Sequence, residues 1–176
     1  RNNGVSDYAG MVGYVFESAT DQVINVLGVW DGPTETEAEG LGLEDSSEVG
    51  IWLESSGALL GSVVVPSGTG GRLIDGFRYG DIAPIELQAG VEYIVGAMYT
   101  TAGNAFIQWP SGFTPNTGIT PGADQSLYAS GGVFRVPDTP AAQDFYYIGP
   151  VAAFTGYVPW PSEVEVPTGA PGALGF

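Results

Sequence analysis

The sequence predicts an all-β chain: an antiparallel, jelly-roll-like β-sandwich followed by an extended C-terminal tail. Three observations carry that expectation. Apolar residues recur with period two in short runs. Clusters of Gly, Pro, Asp and Ser separate those runs, with 28 glycines and 13 prolines in 176 residues. No stretch pairs a 3.6-residue period with capping signals, apart from a single turn near residues 35–39. Short strands at close, regular spacing favour a sandwich over a barrel.

The elements follow in order. Residues 11–17 (MVGYVFE) and 22–30 (QVINVLGVW) are apolar-rich strand candidates joined by the turn-like 18–21. Residues 49–53 (VGIWL) and 59–65 (LLGSVVV) flank 54–58, whose Ser55, Ser56 and Gly57 read as a hairpin loop. Strands are then expected at 73–79, 84–87 and, after the turn at Ala89 and Gly90, at 93–99. The last are expected at 105–109, 133–136 and 145–154. Residues 1–157 are taken as one sandwich domain. Residues 158–176, rich in Pro and Gly, form a tail that reads as polyproline-like or disordered on its own.

Composition excludes much chemistry. The chain has no His, Cys or Lys. It therefore lacks an imidazole base, a thiolate, a Schiff-base amine and the usual zinc or copper ligands. Its serines have no His or Lys to activate them. Twenty acidic residues against four arginines give a net charge of −16, which repels nucleic acid and anionic lipid. With 44% hydrophobic residues the chain can still build a core, so disorder is not expected. No apolar run approaches the ~20 residues of a membrane span. The charged fraction is only 14%, and without lysine the surface suits an extracellular setting. Arg1 opens the chain with no apolar leader, as expected of a mature secreted protein.

An ordered series of segments then resembles a known type. It runs Leu27-Gly28-Val29-Trp30-Asp31, Glu48-Val49-Gly50-Ile51-Trp52, Gly57-Ala58-Leu59-Leu60 and Val65-Pro66-Ser67-Gly68-Thr69. Gly76-Phe77-Arg78-Tyr79, Leu87-Gln88-Ala89-Gly90 and Val91-Glu92-Tyr93-Ile94-Val95-Gly96-Ala97 complete it. Over about residues 27–98 this series resembles the secreted β-sandwich domain of exosortase-sorted (PEP-CTERM) bacterial proteins. The resemblance implies a sandwich fold, an extracellular place and no assigned catalysis. Where that family carries its Pro-Glu-Pro sorting signal, Val158-Pro159-Trp160-Pro161-Ser162 has Trp in the glutamate position.

Four candidate sites emerge. Residues 31–48 carry seven carboxylates in eighteen positions, and Asp31, Glu44, Asp45 and Glu48 are candidate oxygen ligands for calcium. A solvated acidic loop is the plainer reading, because the spacing fits no calcium-binding motif. A glycosidase pair is the second candidate, but among twenty acids some pair always looks suitable, so catalysis is not expected. Third come aromatics for sugar stacking, namely Tyr99, Trp109 and Tyr128, whereas Trp30 and Trp52 sit in expected strands and read as core. Fourth, the terminal segments read as strands for a neighbour's sheet edge, with Val158, Trp160, Val164, Val166, Leu174 and Phe176 as subunit contacts. Arg72, Arg78 and Arg135 are expected to pair with acidic loops. The combined expectation is a non-enzymatic extracellular subunit of a filament or surface assembly, its partner another copy of itself. A carbohydrate-binding module, calcium-stabilised, is the alternative.

Overall fold

A computed structural model describes residues 9–31, 41–74, 76–100, 107–110, 119–141, 145–148 and 150–154. Among them there is no helix. The strands are β1 (Gly10–Ser18), β2 (Gln22–Trp30), β3 (Ser47–Leu53), β4 (Ala58–Val65), β5 (Arg72–Ile74) and β6 (Phe77–Leu87). They continue as β7 (Glu92–Tyr99), β8 (Ile107–Pro110), β9 (Ile119–Ser130), β10 (Thr139–Pro140), β11 (Phe145–Ile148) and β12 (Pro150–Phe154). Every pairing is antiparallel. One layer is a six-stranded sheet in the order β10-β9-β1-β7-β3-β4. Facing it is a four-stranded sheet, β12-β2-β6-β5, while the ribbon β11-β8 lies against β1 and β9.

The chain is a β-sandwich because alternation gives each sheet one apolar inner face. Along β7, Tyr93, Val95, Ala97 and Tyr99 all point inward and are buried. Val12 and Phe16 of β1, and Val49 and Ile51 of β3, join them. From the opposite sheet come Ile24, Leu27 and Val29 of β2 and Leu87 of β6. The step in β2 from Ile24 to Leu27 breaks the period of two. Asn25 is an extra residue against β12, while against β6 the same step sets Ile82, Ala83 and Pro84 opposite Asn25 alone, and parity along β2 flips beyond it. Gly61 of β4 and Gly80 of β6 let Ile85 and Val63 close in across the layers.

β1 and β2 are close in sequence yet lie in different sheets, so residues 19–21 form a corner between layers rather than a hairpin. A second corner, from β6 to β7, pins it. Gly90 N–H donates to Ser18 O at 2.8 Å, and Ala89 N–H donates to Asp21 Oδ1 at 2.8 Å.

Several strand expectations need correction: residues 145–154 form two strands, β11 and β12, in different sheets, and 84–87 is the end of β6 rather than a strand of its own. The expected strand at 73–79 is broken into β5 and the start of β6 by a turn at Gly76, whose φ of +80° lies in the left-handed region. The expected strand at 133–136 is not one. Those residues belong to a strap that crosses the outer face of the six-stranded sheet, where Phe134 and Val136 pack on Met11, Val15, Trp52, Ile94, Leu127 and Ala129. The strap fits because Gly13, Gly96 and Gly50 are direct partners across β1, β7 and β3, leaving a trough without side chains. The Cβ positions of Gly13 and Gly96 lie only 3.0 and 3.1 Å from Pro137 Cγ. The Phe134 ring covers Gly50 and stacks on Trp52 with centroids 5.3 Å apart.

Candidate functional site

Of the acidic loop, Asp31 and residues 41–48 are described, and there Asp31, Asp45 and Glu48 bond to groups of the chain itself. Asp31 directly follows β2 and inherits its inward parity, as does Arg78 in β6. The Arg78 Nε–H donates to Asp31 Oδ2 at 2.5 Å, with 5% and 7% of the two side chains exposed. The same guanidinium donates through Nη1 to Gly71 O at 2.7 Å and Thr69 O at 3.1 Å. Asp31 Oδ1 accepts from Gly42 N–H at 3.2 Å. Leu43 and Gly68 exchange two main-chain hydrogen bonds beside the pair. One ion pair thus ties the β2–β3 loop to the β4–β5 loop, and the Asp31 N–H, donating to Gly76 O at 2.7 Å, adds the β5–β6 turn.

The other candidate calcium ligands lie apart in function. Asp45 Oδ2 accepts from Thr100 Oγ1 at 2.5 Å, and Glu48 Oε1 accepts from Ser62 Oγ at 3.3 Å. Glu44 is exposed. Among the described residues no group of three or more Asp, Glu, His or Cys is placed to hold a metal ion. Arg72 and Arg135 pair within the chain, with Asp81 at 3.5 Å and Asp138 at 3.0 Å.

Of the aromatic candidates, Tyr99 is fully buried among the inner-face residues and has no ring face to offer a sugar. Tyr128 is half-buried in β9; Trp109 lies in β8, its side chain outside the described residues. The rings that the fold gathers on an outer face are different ones. Trp30 and Phe77 are cross-strand partners in β2 and β6, set edge to face at 5.0 Å and both half-buried, with Tyr79 beside them. Sequence reading placed Trp30 in the core. The signal against this was its separation by odd spacing from Leu27 and Val29. A groove of about 430 Å³ beside the strap has Val15, Ile94, Leu127 and Val136 in its wall and Glu54 and Asp138 at its rim.

Val158, Trp160, Val164, Val166, Leu174 and Phe176 lie outside the described residues, whereas the edges of the two larger sheets lie within them. The two sheets end in four strands, and three are blunted. β10 has two residues, one a proline; β5 has three and opens on Arg72; β12 has five and opens on Pro150. β4 is eight residues long, contains neither charge nor proline, and pairs only with β3 among the described residues. Leu59, Leu60 and Val64 on it are 50%, 39% and 56% exposed. Its one protective feature is a bulge at Leu60, where the register with β3 shifts. Sequence reading identified β4 as a strand, but an edge is a property of topology and has no local signal.

The protein is thus an all-β sandwich whose β4 edge is, among the described residues, long and free of charge and proline. Its sequence matches none of the known protein-family models, and no curated protein matches it either. Among the described residues no helix is long and apolar enough to cross a membrane.

Proposed function

We propose that this protein is a non-enzymatic structural subunit acting outside the cell, which assembles with copies of itself by docking strands on a sheet edge. The observation that carries this reading is β4. Natural sheets protect their edges with short strands, charges or prolines, because an open ladder recruits another strand. Among the described residues three edges are short and carry proline or charge, whereas the longest, β4, has only its bulge. Such an edge supplies main-chain hydrogen bonds and alternate side-chain contacts to an added strand. The chemical poverty of the chain, with Arg72, Arg78 and Arg135 and the buried Asp31 paired internally, supports a structural over a catalytic role.

Electron microscopy of the purified protein, with and without a calcium chelator, tests this reading. Regular filaments or sheets support it, whereas dispersed monomers under both conditions overturn it. A second reading, a carbohydrate-binding module, is favoured by the half-buried Trp30 and Phe77 rings on the outer face of the four-stranded sheet. Polysaccharide affinity of a monomer, lost in Trp30→Ala, would put that reading first.

A further inference from the structure

Self-assembly through strand docking leaves open which strand enters the β4 edge. Resting on the assembly reading, we infer that the donor is the stretch Ser162-Glu163-Val164-Glu165-Val166 of a neighbouring copy, paired along β4. If two copies of β4 paired across a two-fold axis, the single open edge would be consumed and growth would stop at a dimer. A polymer needs a donor and an acceptor on different parts of the molecule. The donor stretch has the required pattern: Val164 and Val166 share one face of an extended strand, and Glu163 and Glu165 share the other. Pro161 and Pro167 bound it and limit pairing to about this length.

Charge and reach favour the same match. Ala58 through Val65 carry no charge, so the donor glutamates meet no acidic side chain on the acceptor strand. Like charges set directly across a ladder are destabilising. The exposed Leu59 and Val64 give the donor valines apolar surface to cover. Seven residues, 155–161, separate the end of β12 from the donor. Fully extended they span about 24 Å, against a radius of gyration near 15 Å for a domain of this size. A linker of that length gives the donor the reach to meet a neighbouring copy.

The absence of cysteine permits a background-free test on the full chain. Val64→Cys and Val166→Cys proteins, prepared separately, are mixed under assembly conditions and oxidised. Val64 is exposed, so its replacement leaves the core intact. The inference expects disulfide-linked pairs containing one chain of each kind. It also expects Val64→Lys and Val166→Lys each to raise the concentration needed for assembly about tenfold, the effect of ~1.4 kcal/mol. A peptide covering residues 157–169 should block growth. Val64→Cys chains linking to each other, or filaments that form without mixed pairs and ignore the peptide, would overturn the donor assignment and leave self-assembly standing. Monomers under every condition would overturn both.

Discussion

Asp31 and Arg78, 47 positions apart in sequence, meet as a buried ion pair that plugs one end of the sandwich. Removing one partner of such a pair strands the other charge in a low-dielectric site, at a cost of about 3–5 kcal/mol. Arg78→Met and Asp31→Asn are each expected to fall in this range in urea denaturation. The double variant is expected to regain part of the loss, because no unpaired charge remains. Arg72→Ala, which breaks an exposed pair with Asp81, is expected to cost below about 1 kcal/mol. Equal losses at Arg72 and Arg78 would contradict this assignment.

The trough formed by Gly13, Gly96 and Gly50 predicts a second contrast. Gly96→Ala places a methyl 3.1 Å from Pro137 Cγ, and Gly50→Ala drives one into the Phe134 and Trp52 rings. Overpacking of this kind costs about 1–3 kcal/mol. The strap should lift, changing Trp52 fluorescence as Phe134 moves away. Gly132→Ala meets only open space and serves as the control, expected within about 0.5 kcal/mol of wild type.

Alkaline pH gives a third. Burial holds the phenols of Tyr14 and Tyr99 well above their ordinary value of 10.0. Below about pH 10 both phenols keep their protons, folded or unfolded, and contribute no pH dependence. Above it the unfolded chain releases protons that the folded chain retains. Stability therefore falls as pH rises, by up to about 1.4 kcal/mol per unit for each phenol. Urea midpoints followed with tyrosinate absorbance check this; stability constant beyond about pH 11 would refute it.

Net charge gives a fourth, bearing on the proposed assembly. Each copy carries −16, so neighbours repel over the Debye length, which shrinks from about 30 Å at 0.01 M salt to about 8 Å at 0.15 M. Light scattering should show assembly promoted by salt across this range, and more strongly by divalent than by monovalent cations. Assembly that weakens as salt rises would show that electrostatic attraction holds the copies together instead.

Apolar runs bounded by turn residues were legible in the sequence: β2 occupies the expected residues 22–30 without change despite its bulge, and β7 begins one residue early. The twelve-residue β9 was not. Its sequence, ITPGADQSLYAS, carries Pro, Gly, Asp and Ser, and it forms a strand through pairing with β1 and β10 rather than through local preference. The opposite error fell at Val133, Phe134, Arg135 and Val136, where alternation was real but was answered by a sheet face instead of a ladder. Asp31 read as a cation ligand because its partner is remote. A hint lay in Gly76-Phe77-Arg78-Tyr79-Gly80, where one of only four arginines sits inside an apolar strand. Charge placed there requires an internal partner.

The pairing of the arginines also bears on how long the protein lasts among proteases. Enzymes that cut after basic residues find no lysine, and three of the four arginines lie within the described sandwich. Arg78 is sealed inside it, Arg72 opens a strand hydrogen-bonded to β6, and Arg135 is carried by the strap over the glycine trough. A trypsin-like active site needs extended, unpaired chain, so cleavage at Arg72 or Arg78 must wait for strands to open. Digestion at these bonds is therefore metered by the opening equilibrium of the sandwich.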